Sequence, residues 1–291
     1  MNGFLKYSTA FLFAALFTLP VSAQEAFTRT VSLDGAREVV ATINGGFGTL
    51  YLKRGRGNAL LQIREKNGEN AKASDIQVDY HVEDGIGYLT LDINTEGAED
   101  MNALACLLQG RDSRTWYVHM NDRVPIEFDV TLGAGRASLD LTGLHVKGLR
   151  LDAGAGSVRM SVDRPNRQII DKVSISAGVG SVQTRHLGNL RFRQLEFEGG
   201  LGSYKLDCTG ALPSRTRISS DVGVGSMVIT LPEGVGAKAM TSDHLLSSES
   251  MYRFVRRSDN IYATENFSSS SRKVLLDLQS GVGSISVRWA R

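Results

Sequence analysis

Five histidines are the residues of this sequence best suited to metal or acid–base chemistry. None of them has a second histidine or a cysteine at the spacing of a zinc site. The sequence also has no Gly-x-Ser-x-Gly elbow for a nucleophilic serine and no Gly-Lys-Ser/Thr phosphate loop. We therefore predict no catalytic, cofactor-binding or metal-binding residue. The histidines are His81, His119, His145, His186 and His244.

Three cations could instead bind an anion. Arg159, Arg185 and Lys205 occupy outward positions in consecutive copies of a repeat that is described below. A cluster of uncompensated positive charge attracts anionic polymers and acidic protein surfaces. We predict that these residues form a shallow binding face for an anionic envelope polymer or an envelope protein.

The overall charge limits the class of partner. The chain has 33 Lys and Arg residues against 31 Asp and Glu residues, so the formal net charge is +2. A balance this close to neutral argues against a nucleic-acid-binding protein. Glycine is abundant, with 31 residues, whereas proline occurs only 5 times. Such a composition is typical of tight corners between strands.

Residues 1–23 are predicted to be a secretory signal peptide. Lys6 supplies the positive charge, residues 10–19 form the apolar run, and small residues at Val21 and Ala23 fit a cleavage site. The apolar run is shorter than the roughly 20 residues of a membrane-spanning helix. We expect an exported chain with no transmembrane helix after cleavage, located in the periplasm, in the cell envelope or on the outer surface.

Export would place Cys106 and Cys208 in a compartment that permits disulfides. The two cysteines could form one bridge. The repeat also places Cys208 on an inward face, where a free cysteine packs as a small apolar residue. Both states stay open at this point.

A Gly-x-Gly-Ser motif, or a close variant of it, recurs along the chain. The first glycines of five copies lie at positions 133, 154, 178, 200 and 223, and a sixth copy begins at 281. Looser variants begin at Gly46 and Gly85. Recurrence at a nearly constant step indicates stacked structural units. The predicted corner glycines are Gly133, Gly135, Gly154, Gly156, Gly178, Gly180, Gly200, Gly202, Gly223, Gly225, Gly281 and Gly283.

The residues after each copy alternate between apolar and polar. After Gly156, for example, Val158 and Met160 are apolar, whereas Arg159 and Ser161 are polar. A period of two residues predicts a half-buried β-strand. A second strand precedes several copies, so one repeat consists of a strand, a glycine corner and another strand. We predict coils of about 23 residues that stack to bury their apolar faces.

The predicted fold is therefore all-β: a repetitive, β-helix-like solenoid with Gly-x-Gly corners. The solenoid is predicted over residues 123–291, with a polar insertion at about 240–272 and the final strand closing the stack. Residues 24–122 are predicted to form a β-rich N-terminal region. A cap helix near 99–108 would cover the open end of the solenoid.

Several segments resemble a known family. The chain is similar to the exported toastrack, or candidate-adhesin, β-solenoids, which include the extracytoplasmic C-terminal region of LiaF-type cell-wall stress regulators. The resemblance implies the solenoid fold and brings no catalytic residues with it. A LiaF-type regulator has N-terminal membrane helices, whereas this chain has only the predicted signal peptide. The resembling segments are residues 124–126, 133–135, 139–144, 154–157, 221–226, 231–235 and 281–284.

We expect a non-enzymatic protein that acts through surface contacts in the cell envelope, as an adhesin-like or scaffold protein. One alternative is an accessory protein of envelope-stress signalling, which rests on the LiaF-like resemblance. Another is a carbohydrate-active β-helix enzyme that uses Asp140, Asp152 or Asp207. Asp140 and Asp207 would lie three coils apart, or roughly 14 Å at the usual strand spacing. Paired glycosidase carboxylates are at most about 9.5 Å apart, so the spacing disfavours the enzyme.

Overall fold

A computed structural model describes residues 28–66, 76–93, 115–242 and 246–290. The predicted signal peptide, the predicted cap helix and Cys106 lie outside these ranges. The described residues form a 16-stranded sheet and two short 3-10 turns, Leu187–Leu190 and Glu265–Phe267. The strands are β1 (Thr28–Ser32), β2 (Glu38–Arg54), β3 (Ala59–Lys66), β4 (Ile76–Glu83), β5 (Ile86–Ile93), β6 (Thr115–Met120), β7 (Ile126–Asp140), β8 (Val146–Ser161), β9 (Ile170–Arg185), β10 (Phe192–Asp207), β11 (Arg215–Leu231), β12 (Gly236–Thr241), β13 (Leu246–Met251), β14 (Val255–Ser258), β15 (Ile261–Ala263) and β16 (Lys273–Trp289).

The strands β2, β7, β8, β9, β10, β11 and β16 are each 15 to 17 residues long and carry a glycine corner near the middle. Each has one arm before the corner and one after it, and both arms pair in parallel with the next long strand. The corners are in register, since the second glycine of one strand pairs with the second glycine of the next. The prediction of a repetitive β-solenoid is confirmed.

Close contact between backbones explains why the corners are glycine. Gly180 has a φ of +137°, a conformation that is costly for residues with a side chain. A Cβ atom at Gly180 would also overlap the carbonyl oxygen of Gly156 on the preceding strand. At the first glycine of a corner, a Cβ atom on Gly154 would lie 2.6 Å from the carbonyl oxygen of Gly133.

The core lies inside the stacked coils. Val158, Met160 and Leu206 belong to the second arms and are at most 3% exposed. Leu151 and Ile175 fill the same interior from the first arms. Cys208 is also buried there as a free thiol, and burial raises its pKa above the ordinary value. A thiol held in its neutral form packs as an apolar residue.

The N-terminal end of the stack has antiparallel strands on its outer side. The first long strand, β2, pairs with β7 on one side and with the shorter β5 and β6 on the other. β4 pairs antiparallel with β5, and β3 pairs antiparallel with β6. The stack thus begins at β2, earlier in the chain than the predicted boundary at residue 123.

One of the two early glycine motifs is not a corner. Gly48 pairs with Gly135 and has a φ of +129°, so Gly46–Gly48 is the first corner of the stack. Asp84 and Gly85, by contrast, are the two turn residues between β4 and β5, and both have positive φ. An Asp-Gly pair with positive φ at both positions is typical of a two-residue hairpin. The prediction that the motif at Gly85 is a variant of the repeat is therefore wrong.

The C-terminal strand does not close the stack, contrary to the prediction. β16 lies between β11 and the pair formed by β12 and β13. The residues between β11 and β16 thus form a split outermost coil, on which β15 and β14 add an antiparallel edge. Short antiparallel strands at an edge protect a parallel sheet against pairing with other chains.

Candidate functional site

The second arms of β2 and β7–β10, together with β6 and β3, present a continuous row of outward side chains on one face of the sheet. We call this the outer row. It crosses seven neighbouring strands, so it spans roughly 29 Å at a strand spacing of about 4.8 Å. In spatial order its members are Arg64, Tyr117, Tyr51, Ser138, Arg159, Gln183 and Lys205, which pair successively in register.

Two of the three predicted cations belong to the outer row. Arg159 and Lys205 both neighbour Gln183, on its two opposite sides. Neither side chain has an ion pair or hydrogen bond to another residue in the part of the chain that the structure describes. Their charges are therefore available to a ligand.

The third predicted cation differs. Arg185 lies two residues beyond Gln183 on β9, and its guanidinium nitrogen is 2.6 Å from a carboxylate oxygen of Asp163. The same carboxylate lies 3.2 Å from Nδ1 of His186. The charge of Arg185 is thus neutralised within the fold, and the positive face is centred on the other two cations.

The N-terminal part of the row contains an aromatic stack that the sequence analysis missed. The rings of Tyr51 and Tyr117 have centroids 5.1 Å apart and planes 9° from parallel. The guanidinium of Arg64 lies 5.5 Å from the centroid of the Tyr117 ring. The strand that carries Tyr117, β6, is distant in the chain from β2 and β3, which carry Tyr51 and Arg64. Only the alternation within Thr115–Met120 could have indicated that Tyr117 points outward.

The electrostatic environment beside the stack is positive. His119 pairs in register with Lys53 and lies one row beyond Tyr117. Burial, followed by the charges of Lys53 and Arg64, lowers the pKa of His119. Burial disfavours the charged imidazolium, and the two neighbouring cations, Lys53 and Arg64, disfavour it further.

The carboxylates considered for glycoside hydrolysis have structural roles. Asp140 and Asp207 lie on β7 and β10, with β8 and β9 between them. Asp140 accepts a hydrogen bond of 3.0 Å from the amide of Thr142, and Asp207 accepts one of 2.9 Å from the amide of Thr209. Asp152 pairs with Arg150 at 2.8 Å. The arrangement is that of turn caps and surface ion pairs.

The corners form a second surface. Their middle residues on four consecutive strands are between 43% and 53% exposed, which gives an apolar ridge. Beside the ridge runs a ladder of serines, in which Ser181 donates to Ser157 at 3.2 Å and Ser226 donates to Ser203 at 3.3 Å. The ridge residues are Val179, Leu201, Val224 and Val282.

A groove of about 560 Å³ lies at the C-terminal end of the stack. Arg253 lies between its walls, 2.7 Å from Glu233 and 5.8 Å from the centroid of the Trp289 ring. The indole N–H of Trp289 donates a hydrogen bond of 2.9 Å to the carbonyl of Tyr252. The polar groups of Glu233, Arg253 and Trp289 thus have partners within the end of the stack.

The described residues include neither a metal-binding cluster nor a membrane-spanning helix. Within residues 28–66, 76–93, 115–242 and 246–290, no group of three or more His, Cys, Asp or Glu side chains is arranged to hold a metal ion. Over the same residues, no helix has the length and apolar character that crossing a membrane requires.

Three solved structures are similar to the chain. A candidate cell adhesion protein from Clostridium sporogenes shares 18% identity, with a TM-score of 0.48, over 91% of this chain and 99% of the other. A candidate adhesin from Bacteroides fragilis shares 16% identity, with a TM-score of 0.34, over 91% and 98% of the two chains. A candidate adhesin from Parabacteroides merdae shares 10% identity, with a TM-score of 0.27, over 92% and 98%.

No curated protein matches the chain. A family match covers residues 20–185, which is more than half of the sequence, and includes the outer row up to Gln183. The matching family is described as the N-terminal domain of toast_rack, DUF2154. This agrees with the resemblance found in the sequence and with the register of the corners, and the chain belongs to the toast_rack family.

Proposed function

We propose that the protein is an exported, non-enzymatic contact protein of the cell envelope, adhesin-like or scaffolding, that binds an anionic envelope polymer through the outer row. The observation that carries the proposal is the unpaired charge of Arg159 and Lys205 on a row that also holds an open tyrosine stack. The charges attract a polyanion, and exposed aromatic rings add contact area at low entropic cost.

The shape of the surface supports a polymer as the partner. The row is long and regular, because the parallel strands are in register. A repeating ligand can contact several strands at once, and the weak contacts then combine into a higher avidity. The turn-capping roles of Asp140 and Asp207 support a binding role rather than a hydrolytic one.

The central experiment removes the positive charge. We expect the triple variant Arg159→Ser, Arg185→Ser, Lys205→Ser to lose most of its binding to isolated envelope polymer, with Arg185 contributing least because Asp163 neutralises it. Unchanged binding would refute the proposal. A matched control removes three exposed arginines from the first arms: Arg150→Ser, Arg193→Ser and Arg217→Ser.

Export and the choice of partner need separate measurements. Cell fractionation and N-terminal sequencing of the mature protein would test export and cleavage after Ala23. Crosslinking in living cells would then identify the partner. Recovery with envelope polymer is expected. Recovery with a single membrane signalling protein would instead favour the LiaF-like accessory function, and glycan turnover by the purified protein would favour the enzyme.

A further inference from the structure

We propose that Tyr51, Ser138 and Arg159 form a subsite for an acidic sugar, a pyranose ring that carries a carboxylate. The proposal rests on the proposed function, since it names the monomer that the outer row would recognise in an anionic polymer. It adds a defined position for that monomer, which charge alone does not specify.

The subsite is a notch in the outer row. Tyr51 pairs with Ser138, and Ser138 pairs with Arg159, so the small serine lies between a ring and a guanidinium. Adjacent strands are about 4.8 Å apart, which places the flanking strands roughly 10 Å from each other. A six-membered ring can enter between two such side chains above a serine.

The orientation of the tyrosine ring opens it toward the notch. The Tyr51 and Tyr117 rings stack with a centroid separation of 5.1 Å, close to the strand spacing, so their planes stand across the row. Tyr117 covers one face of the Tyr51 ring. Because Tyr117 and Ser138 pair with Tyr51 from opposite sides, the other face is on the side of Ser138. The Tyr51 side chain is 40% exposed.

Two cations flank the notch on different strands. Arg159 flanks Ser138 on β8, and Arg136 lies two residues before Ser138 on the same face of β7. In the described part of the chain, neither guanidinium is held by another side chain. The acidic neighbour, Asp140, accepts hydrogen bonds from the amide of Thr142 and the hydroxyl of Ser161. The notch is therefore positively charged.

These groups match the chemistry of an acidic pyranose. The C–H face of the ring is apolar and packs on an aromatic face, as other apolar groups do. A carboxylate accepts two parallel hydrogen bonds from one guanidinium, which a point charge cannot reproduce. The Ser138 hydroxyl can donate to or accept from a ring hydroxyl. A nucleotide would also stack, but a net charge of +2 for the chain disfavours nucleic acid.

The test fills the notch without removing any charge. In Ser138→Phe, the new ring would extend the tyrosine stack and occupy the position proposed for the sugar, and aromatic pairs across strands preserve a sheet. Ser286→Phe is the matched control, because Ser286 lies on the continuation of the same row beyond Val228, five strands away. The variant Tyr51→Leu tests the same site by removing the stacking face.

Binding is measured by calorimetry with trigalacturonate, with maltotriose as the uncharged sugar and polyphosphate as the anion without a ring. We expect Ser138→Phe and Tyr51→Leu to weaken trigalacturonate binding by about tenfold, with polyphosphate binding unchanged. We also expect Ser286→Phe to bind like the unmodified protein and maltotriose to bind least. Single-stranded DNA serves as the competing class of ligand.

The outcomes separate the two proposals. Equal trigalacturonate binding by Ser138→Phe and Ser286→Phe, together with a loss in the triple charge variant, would refute the sugar subsite and leave the proposed function intact. Unchanged polyanion binding by the triple charge variant would refute the proposed function itself. Tighter binding of DNA than of trigalacturonate, lost in Ser138→Phe, would refute the sugar as the occupant of the notch.

Discussion

The carbonyl oxygen of Gly156 occupies the position that the Cβ atom of any other residue at Gly180 would need. The same relationship recurs at the second glycine of every corner from Gly135 to Gly283. Each long strand thus packs its bend directly against the bend of its neighbour. This backbone contact, and not a need for flexibility, explains why glycine repeats in the sequence.

Replacing Gly180 with alanine should destabilise the protein strongly. The new Cβ atom would overlap the neighbouring carbonyl, and φ of +137° would add backbone strain, so we expect a loss of about 3 kcal/mol or more in the free energy of unfolding. Urea denaturation measures the loss. Gly57→Ala is the control, because Gly57 has a φ of +93° and open space around it. It should lose only about 1–2 kcal/mol, and equal losses would contradict the argument from overlap.

The hydroxyl of Tyr204 is a buried polar group that has no hydrogen-bond partner among the described residues. Tyr204 is fully buried, and its oxygen has no hydrogen bond to any of the residues that the structure describes. Burial accordingly raises the pKa of Tyr204. We expect Tyr204→Phe to stabilise the protein by about 1 kcal/mol in thermal unfolding, because it removes an unsatisfied group and keeps the ring.

Tyr80 provides the contrast for this measurement. Its hydroxyl donates a hydrogen bond of 2.7 Å to the carbonyl of Leu33, so Tyr80→Phe should destabilise by about 1 kcal/mol. Both variants remove a phenolic hydroxyl, but the expected changes in the free energy of unfolding have opposite signs. A loss of stability in Tyr204→Phe would show that its hydroxyl is satisfied after all.

The local parts of this fold could be read from the sequence, and the long-range ones could not. The corner at Gly180 and the alternation around Val182 are each visible in a few consecutive residues, so the repeat predicts them. The position of β16 inside the stack depends on pairing between strands that are distant in the chain. Nothing in the residues of β16 distinguishes an inner strand from an outermost one.

The candidate site likewise has one part that the sequence predicts and one part that it does not. Arg159 and Lys205 lie within the regular repeat, where alternation alone assigns their outward orientation. Tyr51 and Tyr117 come together only because β6 pairs with β2, which lies much earlier in the chain. Sequence reasoning therefore found the cations and missed the aromatic half of the row.

The pKa of His119 depends in part on the positive charges of Lys53 and Arg64. Its pKa is lowered by burial and by Lys53 and Arg64, so Arg64→Gln should raise it toward the usual value near 6.5. The unfolded chain binds the proton of His119 more tightly than the folded chain does. The free energy of unfolding should therefore decrease as the pH falls below about 6.5, and the decrease should be smaller in Arg64→Gln. An NMR titration of the imidazole measures the pKa. Arg193→Gln, whose arginine pairs with Asp171 on the other arm, should leave it unchanged, and an equal shift there would contradict the local origin.

Asn189 connects three successive coils through a single buried amide. Its Nδ2 donates to the carbonyl of Val162 at 2.8 Å, and its Oδ1 accepts from the amide of Ala211 at 3.1 Å. Asn189→Ala leaves both backbone groups without this partner, so we expect a loss of about 2–3 kcal/mol. Asn189→Leu keeps a similar side-chain volume and loses both the donor and the acceptor. Denaturation should therefore show both variants to be less stable than the unmodified protein if the amide, and not the side-chain volume, holds the turns in register. Equal stability of the alanine variant and the unmodified protein would show that water replaces both bonds at no cost.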